Sequence, residues 1–179
     1  MSKSLSGTRV QLRLLHEQDW QFVQRWIRDR EIARLMTYDM QKFALRDGFY
    51  YGIELMGKRG QSGRLIGYLG LHDWNPEEKT SELTICIADK RLWSKGLGTE
   101  AIRILLKDLF RHSSMQGVYL RVFRDNPRAI HCYEKCGFRK IGLLKAGWRV
   151  KFGWRDIILM EYTRSDWAAE RVQSKNSAS

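Results

Sequence analysis

Apolar and polar positions repeat with two different periods along this chain, and the period separates predicted strands from predicted helices. Residues 10–14 alternate apolar and polar side chains, which predicts a half-buried strand. Residues 20–27 carry large apolar side chains at helical spacing, and a second short helix is predicted over 30–36. Residues 36–48 show no clean period and predict a loop. Three further strands, joined by short links that favour antiparallel hairpins, are predicted over 49–56, 64–72 and 81–88.

The second half of the chain alternates between helices and strands. Apolar side chains four residues apart predict a helix that begins at Gly98. The elements predicted after it are a strand over 118–123, a helix over 127–136, and two strands over 138–144 and 154–162 that flank a loop over 145–153. This order predicts an α/β fold, a single-domain mixed and mostly antiparallel sheet flanked by helices. We assign the domain to residues 1–170 and a polar C-terminal tail to 171–179, frayed from Gln173 onward.

Charge is distributed unevenly along the 179 residues, whose formal net charge is +12. Residues 1–90 carry 14 basic and 12 acidic side chains, whereas residues 91–179 carry 18 and 8. A positive field in the second half suits a phosphorylated ligand, and it suits nucleic acid equally well. No apolar run reaches the roughly 18 residues of a membrane span, and the start lacks the apolar core of a secretory signal. We therefore expect a cytoplasmic protein.

Three cysteines, Cys86, Cys132 and Cys136, cannot form a closed disulfide framework, and no metal-ligand spacing of Cys and His is found. Cys132 and Cys136 lie four residues apart on a predicted helix, so a zinc or redox role is conceivable. Small apolar side chains in a reducing compartment are the favoured interpretation.

A glycine turn opens the helix of the second half and predicts a cradle for a diphosphate. Its backbone N–H groups can converge on phosphate without side chains in the way, and the helix dipole adds partial positive charge. The pattern fits neither a P-loop nor a dinucleotide-binding glycine motif. The residues of this loop are Trp93, Ser94, Lys95, Gly96, Leu97, Gly98 and Thr99.

A second segment begins 28 residues after Gly98 and offers an amide, a cation and a phenol from one helix, as Asn126, Arg128 and Tyr133. Asn126 also suits the helix N-cap before Pro127, and the two roles can coexist. A solvated surface position is the alternative for Arg128, and a core position is the alternative for Tyr133.

Together the two segments resemble the acyl-coenzyme A site of the Gcn5-related N-acetyltransferases (GNAT), and the resemblance extends from about Arg9 to Met160. It implies the acyl-CoA N-acyltransferase fold, with acetyl-CoA as co-substrate and direct acetyl transfer to a primary amine. Trp93 stands where the family commonly has Gln or Arg. Aromatic residues at this place resemble the ribosomal-protein alanine N-acetyltransferase branch, and also some polyamine and aminoglycoside acetyltransferases.

The resemblance also implies roles for the strand that precedes the glycine turn and for the second segment. The strand would splay from its neighbour at a bulge, so that backbone groups of Ile85, Cys86 and Ile87 pair with the pantetheine arm of the carrier. A backbone N–H near Cys86 or Ile87 would then stabilise the oxyanion. Asn126 would bind the amide arm, and Arg128 would reach a phosphate.

Acyl transfer to an amine needs a proton acceptor for the amine and benefits from a proton donor for the leaving thiolate. Tyr133 is the candidate acid, because a phenol stays protonated at neutral pH. Glu82 is the candidate base, expected to be partly buried with a raised pKa. The alternative for Glu82 is a carboxylate paired with a cation, and His72, Asp73 or a relayed water are substitutes. No metal is expected.

The amine acceptor is open at this stage. The resemblance places acceptor specificity in residues 20–48 and 145–153. A protein N-terminal amine or a small neutral or anionic amine is our first expectation, because a basic surface suits polyamines and aminoglycosides poorly. Acidic residues such as Asp39 and Asp47 could still build an acidic cleft. The competing class of protein is a non-catalytic basic module that keeps this fold and binds RNA or a ribosome. Separately, an exposed final strand could support a homodimer.

Overall fold

The computed structural model describes residues 4–37, 48–57, 63–150 and 153–176. Eight strands form one sheet: β1 (Leu5–Ser6), β2 (Val10–Leu14), β3 (Phe49–Leu55), β4 (Leu65–Asn75), β5 (Thr80–Ile87), β6 (Gly117–Phe123), β7 (Arg139–Val150) and β8 (Gly153–Thr163). The helices are α1 (Trp20–Ile27), α2 (Arg30–Leu35), α3 (Leu97–His112), α4 (Pro127–Lys135) and α5 (Arg164–Asn176). None of the described helices is long and apolar enough to cross a membrane.

The sheet has the order β1-β2-β3-β4-β5-β6-β8-β7. Every neighbouring pair is antiparallel except β5 and β6, which pair in parallel over three residues. The predicted mixed and mostly antiparallel sheet is therefore confirmed. Helix α3 makes the parallel pair possible, because a parallel connection needs a crossover that carries the chain back across the sheet.

Apolar side chains cover both faces of the sheet. On one face, α3 and α4 pack on the strands in the larger core, which contains Ile102, Leu106, Leu120 and Met160 at 0–3% exposure. On the other face, Val23 of α1 and Ile32 of α2 pack with tyrosines of β3 and β4. The helical spacing of residues 20–27 thus marks the buried side of α1, as expected.

Three elements differ from the expectation. Strand β7 continues to Val150, through much of the predicted loop, because its last residues pair with β8 after a register shift. Helix α5 was not predicted, and it contains Gln173 and the residues up to Asn176, where a frayed tail was expected. The two-residue strand β1 was also missed, because a run this short has no period. The predicted loop over 36–48 lies mostly outside the described residues.

The first residue of α5 holds the end of α3. The Arg164 guanidinium donates hydrogen bonds to the backbone carbonyls of Phe110, Ser113 and Met115, at distances of 2.7–3.1 Å. The last carbonyls of a helix lack partners within the helix. Arg164 therefore joins the far end of the chain to the helix that begins at the glycine turn.

Candidate active site

Strands β5 and β6 open into a V. Their parallel register runs from Thr80 opposite Gly117 to Glu82 opposite Tyr119, while β5 stays paired with β4 up to Ile87 and β6 stays paired with β8 up to Phe123. The register irregularity lies between His72 and Asn75 of β4, on the far side of β5 from the opening. The splay implied by the family resemblance is therefore present in the described chain.

The backbone of β5 turns alternate residues toward this opening. The Ile87 carbonyl faces away from β4, because it accepts a hydrogen bond of 2.7 Å from the Trp93 indole N–H. Successive residues of an antiparallel strand direct their backbone groups to opposite edges, so Ile85 shares this orientation and Cys86 does not. Of the two expected oxyanion donors, the Ile87 N–H therefore has the direction required, and the Cys86 N–H faces β4.

The glycine turn begins helix α3. Gly96 is its N-cap residue, with a φ of +78° that glycine adopts without strain. At Gly98 an added Cβ would lie 3.5–3.8 Å from Cys132 Sγ and from the side chains of Ile85 and Ile87. A methyl group fits there in ordinary contact, whereas a long side chain would enter the space between β5 and α4. The N-terminal amides of α3 thus face the same opening.

Two residues that the sequence analysis missed hold this turn. Arg9 donates to the Lys95 carbonyl at 2.8 Å and forms an ion pair with Glu100 at 2.8 Å. Glu100 also accepts backbone N–H bonds from Thr8 and Arg9. Glu100 lies in the first turn of α3, where a carboxylate is favourable, and that position was the available signal.

Strand β5 forms one wall of the opening, and helix α4 forms the second wall. Asn126 is buried and caps the helix, because its side-chain oxygen accepts a 3.3 Å hydrogen bond from the Ala129 N–H. Pro127 occupies the first turn, as predicted. The Arg128 guanidinium stacks on Trp93, with Cζ 3.4 Å from the ring centroid. The cap role of Asn126 is confirmed, and Arg128 is half-buried on an aromatic ring instead of solvated.

A cavity of about 420 Å³ fills the opening between these walls. It brings together Tyr133 and eleven of the twelve residues predicted to bind the carrier, namely Ile85, Cys86, Ile87, Trp93, Ser94, Gly96, Leu97, Gly98, Thr99, Asn126 and Arg128. Lys95 belongs to the same turn but is exposed and is not in the lining. Residues 32 and 35–37, at and after α2, close the other end of the cavity.

Tyr133 lines this cavity with 9% of its surface exposed, and its ring packs against Phe138 at a centroid distance of 6.0 Å. Burial raises the pKa of the Tyr133 phenol well above its ordinary value. The hydroxyl therefore keeps its proton throughout the neutral pH range and is available as a donor, while the raised pKa makes it a weaker acid than an ordinary phenol.

Glu82 is buried, as expected, but its carboxylate is paired with a cation. Both Glu82 oxygens accept hydrogen bonds from Arg121, at 2.9 Å and 2.7 Å. Among the described lining residues of the cavity, Arg121 is present and Glu82 is not. The alternative of a cation-paired glutamate therefore describes the structure better than a carboxylate open to the amine.

His72, Asp73 and Glu82 form a group whose potential ligand atoms lie within 4.8 Å of one another. The sequence analysis named these residues only as alternative bases, because their proximity depends on the pairing of β4 with β5. Arg121 contributes a positive charge beside Glu82 and lies 3.9 Å from Asp73. Burial lowers the pKa of the His72 imidazole, so the group combines a neutral histidine with two carboxylates beside the single guanidinium of Arg121.

The Cys132 thiol faces the first turn of α3. Its Sγ lies 3.3 Å from the Thr99 hydroxyl, and the Cys136 thiol lies beside it with a contact to the Thr99 carbonyl. These contacts, with the positive charges of Lys135 and Arg103, lower the pKa of the Cys132 thiol. By contrast, burial raises the pKa of the Cys86 thiol to about 12. The Thr99 hydroxyl contacts Cys132, and the N-cap residue of α3 is Gly96.

A sheet that opens beside a glycine-led helix, with a phenol in the opening, is the arrangement expected of a transferase that uses a phosphorylated acyl carrier. The acetyltransferase (GNAT) domain family matches residues 9–139, and the chain belongs to this family.

Among curated proteins, the chain is 31% identical over 101 residues to the spermidine N(1)-acetyltransferase of Vibrio cholerae, covering 56% of this chain and 58% of that protein. It is 29% identical over 155 residues to the aminoglycoside N(6')-acetyltransferase type 1 of Klebsiella pneumoniae, covering 76% and 77%. Among solved structures, the Vibrio cholerae spermidine N-acetyltransferase in complex with CoA and spermine has a TM-score of 0.78 at 22% identity, covering 90% of this chain and 99% of that one. This last similarity concerns the fold.

Proposed function

We propose that this protein is an acetyl-CoA-dependent N-acetyltransferase that transfers the acetyl group directly to a primary amine. The observation that carries the proposal is the V between β5 and β6, which ends in the glycine turn and contains Tyr133. The glycine turn would hold the pyrophosphate of the carrier, and Ile85 and Ile87 would pair with its amide arm. Family membership supports the same activity.

Each residue has a defined task in this proposal. The Ile87 N–H, which faces the opening, donates to the developing oxyanion. Tyr133 gives its proton to the departing thiolate. Glu82 is not among the lining residues that the structure describes, so we assign the amine's proton to a relayed water. We propose that Glu82 holds Arg121 in place beside the cavity. Asn126 contributes a side-chain amide to the lining.

Protein N-terminal amines and small monoamines are proposed acceptors, and the relatives described above add polyamines and aminoglycosides. The narrower resemblance to ribosomal-protein alanine acetyltransferases and a cytoplasmic location belong to the same proposal. A homodimer belongs to it as well, but not through an exposed final strand, because β8 is paired on both edges, with β6 and with β7. The described lining residues include Arg121, Arg128 and Lys135. These cations favour acceptors with few positive charges of their own.

The test has two stages. Calorimetry with acetyl-CoA on wild type and Gly98→Glu should show micromolar binding that the variant loses. Turnover is then measured with N-terminal peptides, a small monoamine, spermidine and an aminoglycoside. If a folded wild type binds no acetyl-CoA but binds RNA in a strongly salt-dependent way, the protein is the non-catalytic basic module instead.

A further inference from the structure

Trp93 bridges the two walls of the cleft. Its indole N–H donates to the Ile87 carbonyl of β5 at 2.7 Å, and the Arg128 guanidinium of α4 stacks on its ring at 3.4 Å from the centroid. Both partners line the cavity. Because its two partners come from β5 and α4, the half-buried ring lies between the strand and the helix, next to the glycine turn.

This position conflicts with the path of the carrier. In the proposed function, the amide arm leaves the glycine turn and pairs with backbone groups of β5 that face the opening, and the Ile87 carbonyl is one of them. The indole N–H already binds that carbonyl. A guanidinium stacked on an aromatic ring is also held in one plane, which limits the directions in which Arg128 can present its donors.

We propose, on the basis of the proposed function, that Trp93 is an internal competitor of the acyl carrier: its indole occupies the Ile87 carbonyl and restrains Arg128, and the carrier has to displace it. The hydrogen bond of the Trp93 indole to the Ile87 carbonyl thus weakens carrier binding in this protein. One hydrogen bond has a net effect of about 2- to 10-fold on an equilibrium constant, which sets the size of the expected change.

The decisive variant is Trp93→Phe, which keeps an aromatic ring and removes the N–H donor. Binding of coenzyme A, measured by calorimetry, should become about 2- to 10-fold tighter. The matched control is Trp74→Phe, because Trp74 is 50% exposed and is not among the lining residues. Its affinity should equal that of the wild type. Thermal melts check that both variants are folded.

Equal or weaker binding by Trp93→Phe overturns the proposal and leaves the proposed function intact. If neither the folded wild type nor the folded variant binds coenzyme A, the proposed function fails and the proposal fails with it. A second readout is the change in tryptophan emission on saturation with coenzyme A. This change should be present in the wild type and in Trp74→Phe, and it should be lost in Trp93→Phe. An unaltered change in Trp93→Phe overturns the proposal.

Discussion

The two ends of the cleft are made from different parts of the chain. The end at the glycine turn is built largely from backbone, with the N-terminus of α3 beside the free edge of β5. The end at α2 is built from side chains of separate elements, with Arg121 of β6 held by Glu82 of β5 and apolar residues of α2 opposite. A ligand that a whole family shares, the acyl carrier, can therefore be bound mainly by backbone groups. Side chains at the other end of the cleft remain available to select the amine acceptor.

The largest effect is expected at the backbone end. Gly98→Glu places a long charged side chain between β5 and α4 and adds negative charge where phosphate should bind. We expect at least about a 100-fold loss of acetyl-CoA affinity by calorimetry, equivalent to about 2.7 kcal/mol. Gly98→Ala is the control, because its Cβ meets neighbours at 3.5 Å or more. Comparable affinity in wild type and Gly98→Glu would show that the carrier binds elsewhere.

Tyr133 lies between the two ends and should affect chemistry without affecting carrier binding. Tyr133→Phe removes the proton donor, so kcat should fall about 100-fold while the dissociation constant for coenzyme A is unchanged. Because its pKa is raised, the wild-type rate should show no loss from Tyr133 ionisation below about pH 10. The control is Tyr162→Phe, a buried tyrosine that donates to Glu170. Equal kcat in wild type and Tyr133→Phe would remove Tyr133 from the acid role.

The side-chain end is tested by comparing two buried ion pairs. Glu82→Gln should lower kcat/KM for the amine about 10-fold and destabilise the fold by about 3 kcal/mol, because it removes the buried carboxylate that accepts both Arg121 hydrogen bonds. Asp19→Asn is the control, because Asp19 is a buried partner of Arg13 that is not among the lining residues. Asp19→Asn should cost less stability than Glu82→Gln, because Arg13 keeps its 2.6 Å ion pair with Glu54, and kcat/KM should be unchanged. Measurements are steady-state kinetics and urea unfolding.

The pH profile separates the two roles of Glu82. If Glu82 positions Arg121, the acid limb of the kcat/KM profile should persist in Glu82→Gln. Disappearance of that limb would instead restore Glu82 as the general base.

The smallest effect concerns Cys132. Because its pKa is lowered, the thiolate forms at lower pH than in an ordinary thiol, and alkylation by iodoacetamide should rise with pH and level off earlier than for Cys86. Saturating coenzyme A should slow the reaction of Cys132 several-fold, since Cys132 lines the cavity. Peptide mass spectrometry measures both rates, with Cys132→Ser as the control. Absence of protection would place the carrier away from α4.

The sequence predicted the backbone end well, because its signals are local. Two glycines and a helical period in consecutive residues specify the turn, and Asn126 before Pro127 specifies the start of α4. The side-chain end was predicted poorly. Glu82 and Arg121 are 39 residues apart, and nothing in either neighbourhood indicates that β5 and β6 bring them together.

The remaining errors have similar causes. Strand β7 was cut short at Leu144 because the glycine and basic residues that follow suggest a loop, whereas pairing with β8 extends the strand to Val150. Helix α5 is mostly polar, so it offered little apolar period to detect. In both cases a tertiary contact decides a structure that local preference does not.

The clasp of Arg164 on the end of α3 has a consequence for the order of assembly during synthesis. Helix α3 and the glycine turn are synthesised early. The carbonyls of Phe110, Ser113 and Met115 have their hydrogen-bond donor only when Arg164 has been added, more than 48 residues later. Strand β6 likewise has an unpaired second edge until β8 has been synthesised. The nascent chain therefore has an incomplete cleft until β8 and Arg164 have been synthesised, and release before that point would leave an edge of β6 open to wrong partners.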